Sequence, residues 1–182
     1  RYFTGIKVKQ DYLRASELHQ KACDGGSGMS CMSLGLMYKY GYGLERDYIK
    51  AISFTQKACD GGTAMACNNL GAHYFEGTGV MKDFSKAAEL YKKACDGGSP
   101  SGCYNLAYLY ANRYIVDEGV IFVDPYIKLL DLYKKACDGG IAKGCYEAAY
   151  KLERSRFLGR KAMESEIDEL RTALLYYQKA CD

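Results

Sequence analysis

Eight of the nine cysteines in this 182-residue chain fall in pairs of fixed spacing. Cys23 and Cys31, Cys59 and Cys67, Cys95 and Cys103, and Cys137 and Cys145 each stand eight residues apart. Two such thiols can close a disulfide, ligate a metal, or pack as small core side chains. In one continuous helix, residues eight apart are separated by about 12 Å along the axis. A disulfide needs its Cα atoms about 5.5 Å apart. Cys59 and Cys67 can therefore bond only if the chain turns between them, and Gly61-Gly62 supplies a turn. Structural zinc favours shorter C-x2–4-C spacings with four ligands gathered together. These pairs lie a full repeat apart, with only His19 and His73 to assist. Free buried thiols stay open as the plain alternative.

The cysteines sit inside a repeat, and the repeat must position them. KACDGG occurs at 21–26, 57–62, 93–98 and 135–140, and Lys179–Asp182 begins it again. The first cysteines fall at intervals of 36, 36, 42 and 44 residues, a period of supersecondary size. Counting from the second cysteine, small or apolar residues occupy +3 (Leu34, Leu70, Leu106), +4 (Gly35, Gly71, Ala107) and +7 (Tyr38, Tyr74, Tyr110). That stripe has the period of a helix, here called helix A. Glycine at +4 costs about 1 kcal/mol in helix propensity, which implies close approach by a partner helix. A GYG or GTG turn follows, then helix B, with Asp47 and Asp83 in the N-cap position. Ala87, Leu90, Tyr91 and Ala94 form its expected buried face, and the Gly-Gly after it suits a left-handed helix end.

The unit A-C-D-G-G-x4-C-x2-L-G-x2-Y-x2-G-x-G resembles the SEL-one-like repeat, a relative of the tetratricopeptide repeat. Its paired cysteines are most similar to those of the Helicobacter cysteine-rich protein family. The resemblance implies an all-α, right-handed α-solenoid of αα-hairpins with one disulfide per repeat, in a secreted or periplasmic protein. It also implies penicillin binding or a weak β-lactamase activity. On this reading residues 1–182 form a single solenoid: a partial repeat at 1–24, repeats at 25–60 and 61–96, a repeat with an insertion at 97–138, and an atypical last repeat at 139–182. Cys181 opens a fifth pair whose partner would lie beyond Asp182, and the chain reads as part of a longer array.

In related solenoids helix A lines the concave surface. With +0, +3, +4 and +7 buried, the outward rows are Met32/Asn68/Tyr104/Tyr146, Ser33/Asn69/Asn105/Glu147, Leu36/Ala72/Tyr108/Tyr150 and Met37/His73/Leu109/Lys151. Asparagine can donate to and accept from a peptide backbone, and tyrosine offers a large rigid surface with one polar tip. Asn68, Asn69, Tyr104, Asn105, Tyr108, Tyr146 and Tyr150 are therefore the candidate binding residues. The competing reading makes the asparagines and tyrosines inter-repeat packing. The expected partner is a protein or peptide segment, including a host protein, with a β-lactam as the alternative. No cofactor or metal is expected.

Nothing in the chain reads as recognised catalytic machinery. The S-x-x-K, S-D-N and K-T-G elements of serine β-lactamases do not occur, nor do G-x-S-x-G, H-E-x-x-H or a P-loop. His19 and His73 fall on different helices and read as surface or packing residues. A net charge of +3 is too small to argue for nucleic acid or a membrane surface. Two departures from the repeat stand out. The stretch 110–126 carries an insertion with the apolar run Val120–Val123, followed by Asp124-Pro125 as a helix start. The last unit lacks the Gly-x-Gly turn and carries Lys151, Arg154, Arg156, Arg160 and Lys161, so longer helices with a solvated basic face are expected there.

Overall fold

The computed structural model describes residues 11–115 and 125–157. They form eight helices and no strand: α1 (Tyr12–Asp24), α2 (Gly28–Tyr40), α3 (Tyr48–Asp60), α4 (Ala64–Glu76), α5 (Phe84–Asp96), α6 (Pro100–Ala111), α7 (Pro125–Asp138) and α8 (Ala142–Phe157). The even-numbered helices are helix A of each repeat and the odd-numbered ones helix B. The chain divides into two compact units, one ending at Gly97 and the other beginning at Gly98.

In the first unit the local chemistry sets each boundary. Asp11, Asp47 and Asp83 cap the three B helices, each accepting from the backbone N–H three residues on at 2.8–2.9 Å. Helix A ends at Gly41 and Gly77, both left-handed, whose N–H groups donate to Met37 O and His73 O. At the other joint the left-handed residue is the second glycine of KACDGG, as at Gly62 (φ +85°). The two glycines of the sequence stripe serve packing. A Cβ on Gly71 would stand 2.7 Å from the ring of Tyr91 on α5, so the helices of this hairpin meet at glycine. Gly35 meets Thr55 of α3 in the same way.

The core of this unit is Leu34, Leu70, Leu90, Ala58 and Ala94 around the cysteine pairs, with Ile52, Phe54 and Tyr74 packed at its edge. Cys23–Cys31 and Cys59–Cys67 are disulfides with Cα atoms 4.7 and 4.6 Å apart, and all four residues are buried. Each bridge ties the end of a B helix to the start of the next A helix. A second tie is ionic. Lys57 reaches Asp24 at 3.4 Å and Lys93 reaches Asp60 at 3.5 Å, so the lysine of one KACDGG copy pairs with the aspartate of the copy before it. Both pairs are exposed and solvent-screened, and they mark register more than stability.

In the second unit α7 packs against both α6 and α8. Its core is Leu106, Ala107, Leu109, Leu130, Leu132, Tyr133, Ala136 and Ala148. Cys137–Cys145 repeats the bridge with a Cα separation of 4.5 Å, and Cys95 and Cys103 are disulfide-bonded as well. Pro125 begins α7 as the sequence implies. With no glycine after α6, Arg113 takes the left-handed conformation instead (φ 57°). α8 is longer than the 13-residue A helices α2 and α4, at 16 residues. Val120–Val123, Arg160, Lys161 and Cys181 lie outside the described residues.

Candidate functional site

Helix A offers two kinds of position. In α4, Ala66, Cys67, Leu70, Gly71 and His73 are buried. In α2 the set is Cys31, Met32, Leu34, Gly35 and Met37, and in α6 it is Gly102, Cys103, Leu106, Ala107 and Leu109. The +6 row is therefore core, not outward: Met37, His73 and Leu109 are 0–2% exposed. Met32 in the +1 row is buried too, while the +7 tyrosines Tyr38, Tyr74 and Tyr110 are only half-buried. The reason is visible in the first unit, where α2 packs on both α1 and α3, and α4 on both α3 and α5. The buried arc of such a helix is wider than the single stripe of a two-helix contact.

What remains outward is the +2 and +5 rows and, apart from Met32, the +1 row, and all seven candidate binding residues stay accessible. Asn68 and Asn69 on α4 are half-buried. In the second unit Tyr104 and Asn105 are half-buried on α6, and Tyr108 is 39% exposed. Tyr146 and Tyr150 on α8 are 53% and 44% exposed. One row escaped the sequence reading. Met29 and Met65, two residues before the second cysteine, are each 55% exposed. Their helical angle falls between +5 and +2, and that arithmetic was available from the sequence. The outward face of the first unit thus mixes flexible methionine with Ser33, Leu36, Ala72 and asparagine. Methionine is frequent on surfaces that adapt to varied partners.

His73 is not part of this face. Its Nδ1 lies 2.8 Å from the carbonyl oxygen of Thr78, which can only accept, so Nδ1 carries the proton. The ring clasps the turn that leads into α5. Burial first, and then Lys39 nearby, hold its pKa below the usual histidine range, against the opposing effects of the Thr78 bond and Glu76. His19 lies on α1, and the two histidines share no site. Among the described residues no cluster of His, Cys, Asp and Glu could hold a metal ion.

A cavity of about 690 Å³ opens at the α2–α3 turn, bordered by Tyr38, Arg46, Asp47, Tyr48, Lys50 and Gly79 among others. Three of its charged residues, Arg46, Asp47 and Lys50, are engaged with one another or with rings. Lys50 pairs with Asp47 at 3.7 Å and lies over Tyr38, and Arg46 lies over Tyr48.

The hairpins, the bridged joints and the outward A-helix face together define a helical-repeat protein. The chain belongs to the Sel1 repeat family, which matches residues 1–27, 28–63, 64–99, 100–141 and 165–182. The chain is similar in structure to a Sel1 repeat protein from Oxalobacter formigenes, at a TM-score of 0.77 and 25% identity over 99% of this chain and 68% of that one. It is also similar to c5321, a protective antigen present in uropathogenic Escherichia coli strains and displaying an SLR fold, at a TM-score of 0.73 and 27% identity. That match covers 99% of this chain and 36% of the antigen. No curated protein sequence matches the chain. Sel1 repeats generally mediate protein–protein interaction. The disulfides point to a non-cytoplasmic compartment, since such bonds form and persist under oxidising conditions. Among the described residues no helix is long and apolar enough to cross a membrane.

Proposed function

We propose that this protein is a secreted or periplasmic repeat scaffold that binds an extended segment of another protein on the outward face of its A helices. The observation that carries the reading is the chemistry of that face. Over the first three turns of α2, α4 and α6 its outward positions hold no charge, yet they are rich in Asn, Tyr, Ser and Met. Core-facing positions hold mainly Leu, Gly, Ala and Cys, with Met32, Met37 and His73 beside them, and no asparagine. A neutral surface with amide and phenol groups suits a peptide backbone, whose N–H and C=O need partners but carry no net charge. Tyrosine adds contact area at low conformational cost. A host protein is among the partners this reading admits, on the family resemblance alone. The penicillin-binding alternative rests on family resemblance alone.

Asn69→Ala and Asn105→Ala are the direct test. Each is expected to weaken peptide binding several-fold, as the loss of one hydrogen bond worth about 1 kcal/mol would. Each should leave the melting temperature almost unchanged, given their partial exposure. A large loss of stability with unchanged binding would instead make these asparagines part of the packing.

A further inference from the structure

The outward face of the second unit differs in chemistry from that of the first. α6 carries no charged side chain from Pro100 to Ala111, and its outward positions are Tyr104, Asn105 and Tyr108. On α8, Tyr146 and Tyr150 stack one turn apart, with ring centroids 6.4 Å apart and planes within 10°. Between them in sequence stands Glu147, at the position that Ser33, Asn69 and Asn105 hold in the other hairpins. The carboxylate sits close enough to Tyr104 and Tyr133 to help burial, the larger cause, hold both phenols above the usual tyrosine range. Among the described residues no cation forms an ion pair with Glu147. A half-buried acid flanked in sequence by two exposed phenol rings is complementary to a positive charge. The ring faces attract a cation through their quadrupoles, and the carboxylate attracts it directly.

We propose that this face holds one cationic side chain, arginine or lysine, of the bound peptide, with its aliphatic stem over Tyr146 and Tyr150 and its charged head directed at Glu147. The proposal rests on the reading that the A-helix face binds a peptide segment, and it names what the second unit selects in that segment. The unit already makes such a contact internally. The Lys128 ammonium lies 4.7 Å from the centre of the Tyr110 ring and 3.2 Å from its hydroxyl. Lys143 and Lys151, four residues before and after Glu147 on α8, limit the site. A second cation next to the first would meet repulsion there, so a lone basic residue is favoured over a basic run.

Pools of fluorescein-labelled heptapeptides with uncharged, degenerate flanks test this by anisotropy against the full chain. The pools differ only in the central residue: arginine, lysine, citrulline, glutamate or leucine. Citrulline keeps the shape of arginine without its charge. The arginine and lysine pools are expected to bind about tenfold tighter than the citrulline pool, the range of one cation–π contact supported by a carboxylate. That preference should vanish in Glu147→Gln and shrink as salt is raised. Tyr146→Ala should weaken the arginine pool, and if it also lowers the melting temperature, Glu147→Gln alone decides. Equal binding of the citrulline or leucine pool, with Tyr146→Ala still weakening it, overturns the cation and leaves peptide binding in place. Binding of no pool, or binding indifferent to Tyr104→Ala, Asn105→Ala and Tyr108→Ala, overturns both.

Discussion

His73 shows at the scale of one residue how a polar side chain is kept inside this fold. Methionine and leucine fill the same position in the hairpins on either side, at Met37 and Leu109. The histidine has to be neutral to be buried there, and it spends its one ring N–H on the Thr78 carbonyl. Its folded pKa is lowered from 6.5, so the unfolded chain takes up a proton that the folded chain refuses. Stability attributable to this site is therefore present above about pH 6.5 and is lost as pH falls through that value towards the lower folded pKa. His73→Met is expected to flatten that part of the stability profile, measured by urea unfolding between neutral and mildly acidic pH. An unchanged slope in the variant would assign the acid sensitivity elsewhere. The sequence made the recurrence of this position plain but not its burial. One apolar stripe implies one partner helix, and α4 has two, so +6 faces a second neighbour that periodicity alone does not count. The +7 tyrosines err in the opposite direction, being only half-buried where the stripe placed them in the core.

Between helices the joints decide the geometry. Both turn types were legible, because glycine spacing and capping aspartates are local signals. The Lys57–Asp24 and Lys93–Asp60 ties were not, since they join separate copies of one hexapeptide 33 residues apart. Their signal is present only in the constancy of the lysine and the aspartate at one register. Two glycines recur in the repeat for different physical reasons. At Gly62 (φ +85°) no atom lies within 4 Å of the place a Cβ would take, so alanine there incurs backbone strain alone. Gly79 (φ +76°) has the same strain, and its Cβ would also stand 2.6 Å from Tyr48 Cβ on α3. Gly62→Ala is expected to cost roughly 1–2 kcal/mol. Gly79→Ala should cost that and a further ~1–3 kcal/mol of overpacking. Equal midpoints for the two variants in chemical denaturation would show that the hairpin turn is not packed on α3. The candidate face was legible in part. Its asparagines and tyrosines follow from the +1, +2 and +5 rows, whereas Met29 and Met65 precede the cysteine from which the count began.

For the whole molecule the repeating cysteine pair fixes construction and points to a non-cytoplasmic compartment. A bridge closing the Cys59–Cys67 loop is worth about 2.5 kcal/mol by the chain-entropy estimate. Replacing both cysteines with serine is expected to lower stability by at least that much, because the site is buried and apolar. Calorimetry of this variant beside wild type checks it, and equal melting temperatures would contradict the structural role of the bridge. The architecture therefore assigns stability to the joints and leaves the outward A-helix rows free to differ from repeat to repeat. Those rows change from Met and Asn in the first unit to Tyr, Asn and Glu in the second. The most direct measurement of the central claim is photo-crosslinking of the tightest-binding peptide pool, carrying benzoylphenylalanine, followed by mass-spectrometric mapping. Crosslinks on outward A-helix residues such as Met29, Met65, Tyr108 and Tyr146 are the predicted result. Crosslinks concentrated on the exposed B-helix surfaces of α3 and α5, such as Ser53 and Ser85, would contradict it.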